Sequence, residues 1–103
     1  MTDREIITNY HDTVLLIHGI RQQIDWNQRH GLPVADLQRK DNQLMRELLR
    51  AEDILSEIPD IRYRIVIQLY YFLSMRQSEI AAILNVSRAK AGKLCIEALA
   101  TIH

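Results

Sequence analysis

The sequence predicts an all-α fold, and three observations carry that expectation. Apolar residues recur at three- and four-residue steps through most of the chain, the period of a helix with one buried face. Only three glycines and two prolines interrupt 103 residues, which leaves room for short turns and little else. Thr and Val, which favour a pleated sheet, are too sparse for a β protein. With 48% hydrophobic residues the chain can bury a real core, as one small domain or one domain with an appendage.

From about Asp3 to Arg29, Ile7, Tyr10, Val14, Ile17 and Ile24 form one stripe of a long helix, and Leu15, Leu16 and Ile20 widen it. Thr2 or Asp3 caps its start. Gly19 interrupts the pattern at a cost of about 1 kcal/mol relative to Ala, so a kink or a close helix crossing is expected there. His30-Gly31-Leu32-Pro33 then ends the helix, because Gly supplies a left-handed exit and Pro prevents continuation. A second helix, from about Val34 or Asp36 to Glu57, repeats Leu37, Leu44, Leu48, Ala51, Leu55 and Ile58 in a heptad-like seam. Two long helices joined by so short a turn are expected to fold back as an antiparallel hairpin.

Pro59 disfavours a helical conformation at Ile58, and Asp60 can cap the next helix. This third helix, over about 61–73, is expected to set Ile61, Ile65, Val66, Leu69, Phe72 and Leu73 on one broad face. A fourth, about 76–84, is expected to bury Ile80, Ala81, Ile83 and Leu84. A fifth, about 88–102, turns Ala91, Leu94, Cys95, Ala98, Leu99 and Ile102 inward. The expected organisation is a helical hairpin over residues 1–58, for dimerisation or partner binding, and a three-helix unit over residues 59–103.

Several function classes find no support in the residues. No nucleophile–base spacing, glycine-rich phosphate loop or metal-ligand motif occurs, so neither an enzyme nor a cofactor or metal site is expected. His11 and His18 lie two helical turns apart, too far to share a metal. The single cysteine, Cys95, excludes an internal disulfide and falls at a core position. The N-terminus is acidic and polar, unlike a signal peptide. The longest apolar run, Ile65 to Leu73, is broken by Gln68 and is too short for a bilayer. A cytoplasmic protein with no membrane partner is expected.

The net charge of zero conceals an asymmetry. Residues 1–59 hold seven bases against ten acids, and residues 60–103 hold six bases against three acids. The basic half also carries the most specific pattern in the chain, Glu79-Ile80-Ala81-Ala82-Ile83-Leu84-Asn85-Val86-Ser87. Ala81 or Ala82 lets two helices cross closely, Asn85 tolerates a left-handed exit, Val86 plugs the core, and Ser87 caps the next helix. These are the requirements of a helix-turn-helix, in which a first helix holds a recognition helix in the major groove.

Residues of about 59–102 resemble the fourth region of sigma-70-type RNA polymerase sigma factors. Pro59 to Arg64 with Ile65-Val66-Ile67-Gln68-Leu69-Tyr70-Tyr71 looks like that family's "LP…R.V..L.Y" helix. Glu79 to Leu84 looks like its "EIA..L" helix, and Val86-Ser87 and Ala98-Leu99 match the start and end of its recognition helix. An acidic helical hairpin followed by such a module is similar to small phage or prophage transcriptional regulators. Ser74 replaces the family's usual Gly before the apolar residue Met75, and Arg76 stands at the cap position opposite Glu79. Ala89 and Gly92 occupy outward positions of the recognition helix without a polar side chain.

The resemblance implies a DNA-binding transcriptional regulator, with double-stranded DNA as partner and RNA polymerase as a second one. Arg88 is expected to read a base edge, Lys90 and Lys93 to hold phosphate, and Arg76 and Arg64 to support the backbone contact. Ser87 opens the helix whose free amides favour phosphate. A homodimer through the N-terminal hairpin would pair two half-sites, and Tyr10 and Trp26 are assigned to a partner-binding surface. The alternative is a protein that binds RNA polymerase or a sigma factor and keeps the fold without reading DNA sequence.

Overall fold

The structure, a computed structural model, describes all of residues 1–103. It is all-helical: α1 (Asp3–Thr8), α2 (Tyr10–Arg29), α3 (Ala35–Ser56), α4 (Ile61–Ile67), α5 (Gln77–Leu84) and α6 (Arg88–Ala100). A π-helical turn, Gln68–Phe72, extends α4. No helix is long and apolar enough to cross a membrane.

Short-range chemistry sets the helix ends. The Thr2 hydroxyl accepts from the Glu5 N–H at 3.2 Å and opens α1. Asp60 accepts from the Arg62 N–H at 2.9 Å and opens α4. That backbone bond, aided by the Arg62 guanidinium, holds the Asp60 carboxyl below the ordinary aspartate range. The interruption of the first long helix falls at Asn9 rather than at Gly19. Gly19 is exposed, and a Cβ added there would meet nothing within 4 Å, so no helix crosses at it.

Three helix ends use a left-handed residue to satisfy the last carbonyls. Gly31 (φ 69°) lets the Leu32 N–H reach the Asn27 carbonyl at 2.8 Å. Asn85 (φ 55°) lets the Val86 N–H reach the Ala81 carbonyl at 3.0 Å. Ser74 (φ 56°) does the same after the π turn, where the Met75 N–H reaches the Leu69 carbonyl at 3.0 Å. Serine bears the steric strain that glycine would avoid there.

The molecule measures 54 × 25 × 16 Å with a radius of gyration of 16.7 Å, against about 13 Å for a compact chain of this length. The elongation comes from an arm in which α2 and α3 run along each other, tied by Arg21 Nε to Asp41 at 3.0 Å. The apolar residues buried in the arm are Ile17, Ile20 and Leu44, and Thr13 of α2 is buried beside them. A head holds the main core of fourteen buried residues. This core joins Ile7 of α1, Ala51, Ile54 and Leu55 from the end of α3 and Ile58 just past it with residues of α4 to α6 and Ile102, so it runs across Pro59. Arg4 closes the head by donating to the carbonyl of Ala100, the last residue of α6, at 3.4 Å and to that of Ile102 just past it at 2.6 Å.

Several faces differ from the expected ones. In α4 the buried residues are Val66 and Ile67, flanked by half-buried Tyr63 and Tyr70, while Ile61 and Leu73 are exposed. The π turn is the reason at its end, since its extra residue per turn shifts the residues after Gln68 around the axis. Phe72 then stacks on Tyr10 with ring centroids 3.8 Å apart, and Leu73 faces outward. The Phe72 carbonyl lies 3.2 Å from Nδ1 of His11. Tyr10 is half-buried and packs against Phe72 within the chain. In α5, Ile80 and Ala81 are buried and Leu84 half-buried, and Ile83 points out of that face. On α2, Val14, Leu15 and Leu16 are exposed, as is Trp26, which stacks on His30.

Candidate nucleic-acid interface

The interface is built around the start of α6. Ser87 leaves the helical conformation (φ −68°, ψ 157°), and its hydroxyl accepts from the Lys90 N–H at 3.1 Å. That bond satisfies one of the four amides a helix start leaves over, and the amides of Arg88 and Ala89 remain directed outward. Ala91, Leu94, Cys95 and Ala98 anchor the opposite face of α6 in the core. Burial pushes the Cys95 thiol up, which keeps it protonated and unreactive.

At 3.6 residues per turn, Arg88, Ala89, Gly92, Lys93 and Ile96 share the outward face. They line one open groove together with Gln77 and Glu97. Glu97, the only acid there, is occupied: the Tyr63 hydroxyl donates to it at 3.3 Å and Lys93 Nζ lies at 3.8 Å. Arg88 is exposed and enters no ion pair, and the same holds for Arg76 and Lys90.

A second groove adjoins the first through Gln77 and Arg88 and takes in Ser74, Arg76, His11 and Asp12. Glu79 accepts from the Arg76 N–H at 3.1 Å, which closes half of a capping box at the start of α5. The reciprocal half needs an acceptor on residue 76, and a guanidinium has none.

The structure brings Arg88, Lys93 and Arg76 to neighbouring grooves and Ser87 to their edge. Lys90 is exposed on the flank of this face, about a sixth of a turn from Lys93 and nearly half a turn from Arg88. Arg64 is not brought to this surface. It borders a groove between α3 and α4 with Glu52, Ser56 and Gln68, and its buried Nε has no hydrogen-bond partner.

Sequence reasoning passed over Gln77. Its side chain lies over Gly92, where a Cβ would sit 3.1 Å from Gln77 Oε1 and 3.5 Å from Nε2. The available signal was Gly92 itself, because a glycine inside a helix often marks a close approach by a neighbour. Comparisons with family models, with curated proteins and with solved structures give no match to this chain.

Proposed function

We propose that the protein is a DNA-binding transcriptional regulator of phage or prophage type, with a sigma-region-4-like helix-turn-helix formed by α5 and α6 behind an antiparallel helical hairpin. The observation that carries this reading is the exposed start of α6. A capped helix N-terminus stands next to Arg88 and Lys93 on one face, and Glu97, the one carboxylate in their groove, is engaged by Tyr63 and Lys93, while Asp12 lines the adjoining groove. Arg88 would meet a base edge and Lys93 and Arg76 phosphate, with the free amides of α6 adding to the anion field. Lys90 would reach phosphate from the flank. Arg64 would act only on a nucleic acid bent toward α3 and α4.

The exposed Val14, Leu15 and Leu16 beside so thin an arm core support self-association there. The alternative, a protein that engages RNA polymerase or a sigma factor without reading DNA, draws support from Ile83 and Ile96. These are 58% and 71% exposed close to the basic face.

Duplex titration separates the two. The double substitution Arg88→Ala and Lys93→Ala is expected to weaken binding at moderate salt by tenfold or more, and wild-type affinity to fall steeply as salt rises. A double variant within about twofold of wild type defeats the recognition-helix assignment. Absence of any random-duplex binding at low salt favours the polymerase-directed reading.

A further inference from the structure

The outward face of α6 offers Arg88 and Lys93 but nothing polar at residues 89 and 92. The gap at Gly92 is filled from another helix. Gln77, the first residue of α5, lays its carboxamide over the Gly92 backbone, with Oε1 3.1 Å and Cδ 3.4 Å from where a Cβ would be. Ordinary contacts are longer, so a Cβ at 92 would make the amide give by a few tenths of an ångström, and a longer side chain would compete with it for this seat.

The amide is not spent inside the chain. Nearby polar groups are satisfied by others, as Glu79 accepts from the Arg76 N–H and Ser87 accepts from the Lys90 N–H. Gln77 thus keeps its amide N–H donors and its carbonyl acceptor free at the junction of the two basic grooves. Packing against Gly92 already restricts its rotamers, which lowers the cost of fixing it on a ligand.

We propose that Gln77 is a second base-reading side chain, delivered by α5 through the opening that Gly92 leaves in α6, and that its target is the major-groove edge of adenine. Adenine presents an acceptor at N7 and a donor at N6, the complement of a carboxamide, whereas Arg88 suits guanine. Gly92 is then the residue that makes room for the reader. Base reading by Gln77 rests on the duplex-binding function proposed for the start of α6.

The test begins with a randomised duplex pool enriched on the wild-type chain, followed by titration of the enriched duplex and a scrambled one. Gln77→Ala is expected to lose tenfold or more on the enriched duplex and to stay within twofold on the scrambled one. Gln77→Glu is expected to change the base selected at one position from adenine to cytosine, since a carboxylate accepts from cytosine N4. Gly92→Ala, which shifts the amide without removing it, is expected to weaken the same discrimination by less than Gln77→Ala does, while its melting temperature holds or rises because Ala is the better helix former.

Retention of the enriched duplex by Gln77→Ala within twofold, while Arg88→Ala loses it, overturns the Gln77 assignment and leaves DNA reading intact. An unchanged base preference in Gln77→Glu overturns the adenine target. If the wild-type chain binds no duplex, the DNA-binding function and the role of Gln77 fall together.

Discussion

The arm of α2 and α3 buries three apolar side chains, Ile17, Ile20 and Leu44, while the head buries fourteen around Ile67 and Ile80. Both regions are helical, and the arm holds the two longest helices in the molecule. Helix length therefore says little about where stability resides. A helix gains most of its stability from the face it packs, and two helices alone can cover only one side of each other. The head surrounds its core with α1, the end of α3 and α4 to α6, and leaves Ile7, Val66, Ile67, Ile80, Ala91 and Ala98 with no exposed surface.

Core truncation should separate the regions most widely. Ile67→Ala is expected to cost about 2–5 kcal/mol, since rigid neighbours on all sides would leave a cavity. Leu44→Ala should fall at the lower end, about 2 kcal/mol, because half-exposed neighbours can close in. Denaturant melts would compare the two, and hydrogen exchange should show arm amides opening locally before those of the head. Equal losses, with arm protection that rises with protein concentration, would mean that a second copy covers the arm.

The left-handed residues at the helix ends give a smaller contrast. The arm turns at Gly31, which takes φ 69° freely, and the head turns at Ser74, which does not. Ser74→Gly is expected to raise the melting midpoint by an amount equivalent to about 1 kcal/mol. Gly31→Ala should lower stability by a similar amount, expressed as faster exchange near residues 27–32. If Ser74→Gly is neutral, the π turn before it relaxes the strain.

The smallest expected effect is a pH dependence confined to the head. Asp60 has a folded pKa below its unfolded one, so its contribution is complete above the unfolded value of about 3.9. It is lost as pH falls through the lower folded value. Asp60→Asn keeps a capping acceptor but cannot titrate. The wild type should therefore lose stability more steeply than the variant below about pH 4. Parallel acid melts of the two would show that Asp60 is not stabilised as an anion.

The candidate interface was legible where its chemistry is local. Ser87 and Asn85 act within five residues, through one hydroxyl-to-amide bond and one left-handed turn, and such bonds follow from residue type and spacing. Arg88 and Lys93 follow from their step along α6. Gln77 over Gly92 was not legible, since fifteen positions separate the two and only the packing of α5 on α6 brings them together. Arg64 shows the converse: a basic residue near the motif in sequence borders the groove beside α3.

By itself the sequence determined the all-helical class, most helix boundaries within a few residues though not the break at Asn9 or the π turn at Gln68, and the caps at Thr2, Asp60 and Ser87. These depend on hydrogen bonds between near neighbours, whose partners are present in any conformation of the surrounding chain. Tertiary structure decided which apolar residues are covered. Ile67 lies inside and Ile61, Leu73 and Ile83 outside, although all are of similar hydrophobicity. It also decided that Arg4 closes the end of α6 and that Gln77 occupies the place of a side chain at 92. Burial is scored by the whole packed assembly, and no local pattern distinguishes two equally apolar faces until a distant helix settles against one of them.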